Sequence, residues 1–265
     1  MFNEKVKVLW NKHIGSSYYH MGLICKNEFK HAKPGQFVML AMAEQKTPLL
    51  RRPFSIHNLT VSNGCVEGIE ILYKVVGEST NNLSKAKQND AIHVLGPLGK
   101  GFTMPENARK IWIVAGGIGI APMLFMASHL HFKGFDLSDS TLFIGGRNKA
   151  DLLCRKAFAD FKMKVEVATD DGSDGKKGLV IDLLDMDDKG KYPDVIFACG
   201  PYAMLKAVAK LSEAHQILCQ ISIETLMACG MGACLGCAVE SNDINDRYLH
   251  TCVDGPVFDS KIIKL

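Results

Sequence analysis

Four cysteines near the C-terminus carry the spacing most suited to chemistry. Cys229, Cys234 and Cys237 read C-x4-C-x2-C within Ala228-Cys229-Gly230-Met231-Gly232-Ala233-Cys234-Leu235-Gly236-Cys237, and Cys252 follows after fourteen intervening residues. Three close thiols and a distant fourth match the plant-type spacing of a [2Fe–2S] cluster, which takes two thiolates on each iron. The glycines let the loop curl and bring backbone N–H groups up to the sulfurs. Four thiols also suit a structural zinc ion. Zinc sites favour two C-x2-C knuckles, and only Cys234 and Cys237 form one here. Both metals stay open on the cysteines alone. A cluster carries single electrons, so the rest of the chain is expected to supply them or take them away.

The 265 residues are enough for two or three domains. A net charge of +3 spread evenly along the chain argues against a nucleic-acid partner. No apolar run is long enough to span a bilayer, and Met1 to Leu9 has no signal-like core, so a membrane partner is not expected. Cys25, Cys65, Cys154, Cys199 and Cys219 are scattered without a disulfide framework, which points to a reducing cytoplasm.

Two kinds of element must position the cysteines. From residue 5 to about 95, short runs broken by turns predict a small antiparallel barrel: Val6-Trp10, Tyr18-Cys25, Gln36-Ala41, Phe54-Thr60, Cys65-Val76 and Ala91-Leu95. Ser62-Asn63-Gly64 marks a hairpin. Inside this stretch lies Arg52-Pro53-Phe54-Ser55, whose guanidinium suits a pyrophosphate and whose hydroxyl suits a flat polar ring. Leu72-Tyr73-Lys74 then leads through Gly77 to Ser79-Thr80, where a helix start suits a phosphate, although either hydroxyl also serves as a plain helix cap. Gly96-Pro97-Leu98-Gly99 reads as a rigid turn. In order and spacing these motifs resemble the FAD-binding barrel of the ferredoxin–NADP reductase superfamily.

After a composition shift near Pro105 to Arg109 the pattern changes to alternating strands and helices, which means a parallel sheet with ligands at the strand ends. Strands are expected at Lys110-Ala115, Ser140-Ile144, Val165-Thr169, Val195-Ala198 and Ile217-Ile223. Helices are expected at Met123-Phe132, Asp151-Phe161, Leu179-Leu184 and Ala203-Glu213. Gly116, Gly117 and Gly119 follow the first strand, Gly145-Gly146-Arg147 the second, and Cys199-Gly200-Pro201 the fourth. These motifs resemble the pyridine-nucleotide half of the same superfamily, in which the last one places a cysteine near the nicotinamide. Cys199 alone reads equally as a small buried hydrophobe. Asp170 and Asp171 stand where a 2′-phosphate would be repelled and a free ribose hydroxyl accepted, which favours NAD over NADP, although Asp170-Asp171-Gly172 also reads as a solvated turn. Asp174, Lys176 and Lys177 are assigned to an exposed loop.

Taken together, a barrel over 1–104, an α/β nucleotide domain over 105–222 and a small cluster domain over 223–265 give a β plus α/β architecture. In that order, and through Ser222-Ile223-Glu224, the cysteine motif and Ala168-Thr169-Asp170-Asp171-Gly172-Ser173, the chain resembles the electron-transfer subunits of class 1B dihydroorotate dehydrogenases. Ser79 departs from that family, which often has Gly before the Thr. The resemblance implies FAD, a [2Fe–2S] cluster and NAD as cofactors. It also implies an FMN-containing dihydroorotate dehydrogenase catalytic subunit as partner, two of each chain, and a role in pyrimidine biosynthesis. The cluster would be held by Cys229, Cys234, Cys237 and Cys252. FAD would be held by Arg52, Pro53, Phe54, Ser55, Leu72, Tyr73, Lys74, Ser79 and Thr80, and NAD by Gly116, Gly117, Gly119, Asp170, Cys199 and Gly200. No catalytic acid, base or nucleophile is expected from this chain. The alternatives are a related NAD(P)H-dependent ferredoxin or sulfite reductase subunit, and a zinc-bearing module without enzymatic activity. Apolar Met227, Met231, Ala233 and Leu235 beside the thiols suit either a docking face or plain packing.

Overall fold

Runs in which apolar and polar residues alternate form the strands of the first sheet, as a half-buried pleat requires. The computed structural model describes residues 2–25, 29–44, 47–242 and 247–265. Strands β1 (Phe2–Gly15), β2 (Tyr18–Ile24), β3 (Phe37–Met42), β4 (Arg52–Ser55), β5 (Asn58–Ser62), β6 (Cys65–Lys74) and, after helix α1 (Glu78–Ser84), β7 (Ala91–Leu98) pair antiparallel in the order β4-β3-β7-β1-β2-β6-β5. This sheet curls as an open barrel around a core that includes Val8, Met21, Leu23, Val38, Ile56, Ile69, Ile71 and Val94. Asn63 and Gly64 turn the expected hairpin, with Ser62 opposite Cys65.

Three expectations for the barrel need correction. Strand β1 is longer than Val6-Trp10, because a register shift between Val8 and Trp10 breaks the alternation that marks a strand in the sequence. The run Phe54-Thr60 is two strands. The Ile56 N–H donates to the Gln36 carbonyl and the His57 N–H to that of Glu70, so the chain leaves one side of the barrel for the other. Gly96, Pro97 and Leu98 belong to β7 rather than to a turn, with Phe2 opposite Gly96 and Phe37 opposite Leu98.

The second sheet is built from continuous apolar runs, as a sheet covered on both faces demands. It contains β8 (Ile111–Gly116), β9 (Thr141–Gly146), β10 (Lys164–Thr169), β11 (Lys176–Lys177), β12 (Val195–Cys199), β13 (Leu218–Ser222) and, from the tail, β16 (Val257–Asp259). The order is β11-β10-β9-β8-β12-β13-β16, parallel throughout except for β16 against β13. Helices α2 (Ala121–Phe132), α3 (Arg155–Ala159) and α4 (Tyr202–Ala214) flank it. The helix expected over Asp151-Phe161 is a 3-10 turn, Lys149–Asp151, and the five residues of α3, separated by Cys154 at a φ of 61°. The helix expected over Leu179-Leu184 is a single 3-10 turn, Val180–Leu183, closed by the Asp182 carboxylate accepting the Leu179 N–H at 2.9 Å. Asp174 lies in the expected loop, where it pairs with Arg155 at 2.6 Å, while Lys176 and Lys177, exposed as expected, form the short edge strand β11. Strands β14 (Ala238–Glu240) and β15 (Tyr248–His250) make a small ribbon that returns the chain to Cys252.

Polar pins and shared apolar packing join the sheets. Tyr18 and Leu72 from the barrel lie in the same core as Ile113, Ile120, Met123 and Phe197. Phe102 meets Phe197 edge-on, with ring centroids 5.4 Å apart. The buried His57 donates from Nδ1 to the Ala121 carbonyl at 2.6 Å, and burial pulls its imidazole down to about 4, so it remains neutral. Among the described residues no helix is long and apolar enough to cross a membrane.

Asn11 ties α1 to the barrel. Its amide donates to the carbonyls of Leu83 at 2.9 Å and Ala86 at 3.1 Å, and its oxygen accepts from the Tyr73 hydroxyl at 3.1 Å. The Leu83 carbonyl also accepts from the Ala86 N–H at 3.0 Å, so Asn11 adds a second donor at the end of α1, where carbonyls lack intrahelical partners. Asn11→Ala is expected to destabilise the barrel by about 2 kcal/mol, measured as the shift of the urea midpoint followed by Trp10 fluorescence. An unchanged midpoint would show that solvent replaces these bonds without loss.

Candidate functional site

The cysteine loop folds back so that its backbone donors meet its own sulfurs. The N–H groups of Met231 and Cys234 point at Cys229 Sγ at 3.5 and 3.4 Å, and that of Gly232 at Cys252 Sγ at 3.2 Å. The Met231 N–H, supported by that of Cys234, pulls the Cys229 thiol down to about 6. Burial pushes Cys252 up to about 12, and the Cys237 thiol beside it adds to the rise. Among the described residues no three His, Cys, Asp or Glu side chains converge on a single point. The thiols stand instead as two pairs: Cys237 with Cys252, whose sulfurs are 3.2 Å apart, and Cys229 with Cys234, which share a thiol hydrogen bond. Two pairs fit a cluster of two irons, and one ion would require all four sulfurs around one centre.

The loop rests on the barrel. Cys237 and Cys252 share an apolar cluster with Phe37 and Met39 of β3, and with Leu95 and Leu98 of β7. Gly230 lies directly over Met39 at a φ of 72°, and a Cβ there would come within 2.6 Å of the Met39 side chain. Leu226, Met231, Leu235 and Val253 are exposed, as is Cys234.

The flavin motif residues divide by strand face. Phe54 and Tyr73 point into the barrel core and meet edge-on at 5.9 Å, so their backbone rather than their rings is available to a ligand. Leu72 packs on the nucleotide side, and Lys74 reaches the cavity described below. Arg52 donates to the Leu50 carbonyl at 2.8 Å, beside a small hollow lined by Leu50, Ser79 and Asn82. Pro53 lies opposite Met39 and Ser55 opposite Phe37. The Thr80 hydroxyl accepts from the Val76 and Gly77 N–H groups at 2.9 and 3.1 Å and donates to the Gly77 carbonyl at 3.0 Å. It therefore closes its own helix start, which is the capping alternative left open for it.

All the parallel strands end on one rim, and a cavity of about 440 Å³ opens there, within the range usual for small-molecule sites. Gly116, Gly117, Gly119, Asp170 and Gly200 line it, together with Lys74. Gly119 sits against the Cys199 carbonyl so closely that a Cβ would collide with backbone. Cys199 is not on the wall: it is buried, its thiol is pushed up to about 12 by that burial, and the Glu224 carboxylate adds to the rise. Glu224 does line the cavity; its surface remains accessible to solvent, and desolvation by the surrounding cavity walls raises its carboxyl above the usual value. Tyr18, Arg147 and Asp151 also line it and were absent from the expected site. Arg147 carried a signal as the end of a glycine turn. Tyr18 carried none, and Asp151 looked like the start of a helix.

Known proteins resemble this chain over most of its length. The iron-sulfur cluster binding domain of dihydroorotate dehydrogenase B matches residues 224–264, and the oxidoreductase NAD-binding domain matches residues 113–210. A dihydroorotate dehydrogenase B (NAD(+)) electron transfer subunit from Desulforamulus reducens is 36% identical over 262 residues, 98% of this chain and 97% of its own. The subunit of that name from Caldanaerobacter subterraneus subsp. tengcongensis is 39% identical over 255 residues, 96% of this chain and 95% of its own. A solved NADH-dependent reduced ferredoxin-NADP oxidoreductase superposes with a TM-score of 0.81 at 28% identity, over 98% of this chain and 89% of that one. A ferredoxin NADP+ reductase from Neisseria gonorrhoeae, at 17% identity and a TM-score of 0.65, shares the fold. The zinc alternative gives way to an iron–sulfur domain.

Gly119→Ala is expected to push the Cys199 backbone out of place and raise the KM for NADH about tenfold, with flavin content unchanged. Steady-state NADH-to-dye kinetics together with flavin absorbance test this, and an unaltered KM would separate Gly119 from the nucleotide site.

Proposed function

The chain belongs to the family of electron transfer subunits of dihydroorotate dehydrogenase B (NAD(+)), and on that footing we propose that it carries electrons from an FMN-containing catalytic subunit, through its cluster and FAD, to NAD+ in pyrimidine biosynthesis. It is an oxidoreductase subunit with FAD, a [2Fe–2S] cluster and NAD as cofactors, and it works with a catalytic partner. FAD supplies the exchange between the single electrons of a cluster and the electron pair a nicotinamide takes. Everything else asked of this chain is placement.

The observation that carries the reading is the position of the barrel between two sites. The paired thiols rest on β3 and β7 on one flank, and the cavity at the rim of the parallel sheet borders Tyr18 and Lys74 on the other. In this reading Ser55 positions the flavin ring and Arg52 its pyrophosphate. Backbone groups of β4 and β6 complete the cradle, and Ser79 lies beside the phosphates. Gly116, Gly117, Gly119 and Gly200 leave room for the dinucleotide, and Asp170 accepts from the ribose. Cys199 packs beneath the cavity wall beside Glu224. Cys229, Cys234, Cys237 and Cys252 hold the cluster. The domains divide at 1–104, 105–222 and 223–265, supported by the exit from β7 before residue 104 and from β13 at residue 222.

The partner docks on the exposed apolar surface around Cys234, which Leu226, Met231, Leu235 and Val253 provide. An aqueous gap there would slow transfer and expose the cluster. Two of each chain make up the complex. Native mass measurement of the co-expressed pair tests both the partner and the stoichiometry.

Two outcomes follow. Cys234→Ser leaves NADH-to-dye reduction largely intact and abolishes dihydroorotate-to-NAD+ transfer in the reconstituted complex; retention of that transfer would refute the relay. The chain alone reduces dyes with NADH but does not oxidise dihydroorotate, and orotate formation by the purified single chain would sink the division of labour.

A further inference from the structure

Four side chains from two sheets meet on one wall of the cavity. The Asp151 carboxylate, with only 8% of its side chain exposed, accepts from the Tyr18 hydroxyl at 2.7 Å. Its second oxygen accepts from the Arg147 N–H at 3.2 Å and from Arg147 Nε at 3.4 Å. The Lys74 ammonium donates to the Tyr18 hydroxyl at 3.1 Å and lies 4.0 Å from Asp151. Tyr18 and Lys74 belong to β2 and β6 of the barrel, while Arg147 and Asp151 follow β9 of the parallel sheet. Burial alone would raise the Asp151 carboxyl, but the Tyr18 hydroxyl, the two Arg147 N–H groups and the Lys74 charge together hold it below the ordinary carboxylate range. It is therefore a charged brace. Two cations against one carboxylate leave this wall with a surplus positive charge. The Arg147 Nη groups make no hydrogen bond among the described residues.

We propose that Asp151 is a positioning residue of the nucleotide site: it braces Arg147 directly and Lys74 through the Tyr18 hydroxyl, so that a guanidinium from one sheet and an ammonium from the other stand ready for the diphosphate of NAD. This rests on the reading of the cavity as the NAD site. Long cationic side chains lose rotamer freedom when they engage an anion, and a brace removes that cost in advance. It also ties the barrel to the rim of the sheet at the place where flavin and nicotinamide sites must meet. A role in charge balance alone predicts the opposite sign. Removing one negative charge would then make the wall more positive and hold a dinucleotide more tightly.

The test uses the full chain loaded with FAD and cluster, with Asp151→Asn, Tyr18→Phe and the double variant. Binding of NAD+ to the oxidised protein is followed by calorimetry, and NADH-to-dye kinetics give KM and kcat separately. Asp151→Asn is expected to weaken NAD+ about tenfold and to raise KM in step, with kcat at saturation little changed. Tyr18→Phe, which removes a single oxygen and leaves the ring in its core, is expected to weaken binding about threefold. The double variant is expected to match Asp151→Asn alone, because Tyr18 acts through the carboxylate. Unaltered flavin absorbance shows that each variant folds. Unchanged or tighter NAD+ binding by Asp151→Asn, or additive losses in the double variant, would overturn the proposal. Asp170→Asn and Gly119→Ala serve as reference variants. If they weaken NAD+ and Asp151→Asn does not, this proposal alone fails; if none of them does, the assignment of the cavity fails and takes the proposal with it.

Discussion

Strand β3 is the shared support on which the two redox flanks of the barrel depend. Its Phe37 lies opposite Ser55 on one side and Leu98 on the other, and its Met39 lies opposite Pro53 and Leu95. The same Phe37, Met39, Leu95 and Leu98 form the apolar bed for Cys237 and Cys252. The motif strand β4 is the in-sheet neighbour of β3, and the thiol loop packs on side chains of β3 and β7, so one strand is common to both. A short path through packed protein suits single-electron transfer. The apolar bed has a cost, since thiolates in a low-dielectric setting lose hydration. The N–H groups of Met231, Gly232 and Cys234 offset that cost at Cys229 and Cys252. The loop must therefore curl as tightly as it does, and Gly230 over Met39 is where the curl meets the barrel.

The other flank of the barrel is joined differently. Against the parallel sheet the contact includes buried polar pins: His57 to the Ala121 carbonyl, and Tyr18 to Asp151. Apolar packing tolerates small slips, whereas a buried hydrogen bond is satisfied in one arrangement and costly in others. The flank against the parallel sheet combines apolar packing with these pins. The tail that carries Cys252 is packed on the barrel and also tied to it by the Lys100 N–H donating to the Gly255 carbonyl. His57 contributes because burial keeps it neutral, so its Nδ1 proton is committed to the carbonyl.

Periodicity made the elements legible wherever one face of a strand is buried and the other is not, as in β2 and β6. Legibility failed where tertiary contacts overrode the local pattern. A register shift hides the full length of β1, and a change of hydrogen-bond partner at Ile56 and His57 splits what reads as one strand. The run after Gly146 has helix-compatible residues, but Asp151 is drawn to Tyr18, a residue 133 positions away, and the helix starts again only at Arg155. The thiol spacing and the glycine turns were readable because a short stretch holds each complete. Tyr18 and Asp151 were not, because neither has a meaning until the two sheets meet. Cys199 shows the converse: the motif identifies the strand end correctly, but the thiol lies beneath the cavity wall and Gly200 is the residue that lines it.

The titratable groups around the cavity shift in different directions. Burial pushes the Cys199 thiol up, desolvation at the rim raises the surface-accessible Glu224 carboxyl, and Asp151 is held low by its donors in spite of burial. One wall of the cavity carries two cations and a carboxylate, and Gly116, Gly117, Gly119 and Gly200 add no side-chain charge to the lining. A dinucleotide has a comparable division, with a flat ring at one place and a permanently anionic diphosphate at another. A general acid or base needs a group poised between its two forms near neutral pH; the shifts of Cys199 and Asp151 run away from that condition, and the upward shift of Glu224 runs towards it. Binding and orientation are the contribution a protein makes when its cofactors carry the reaction.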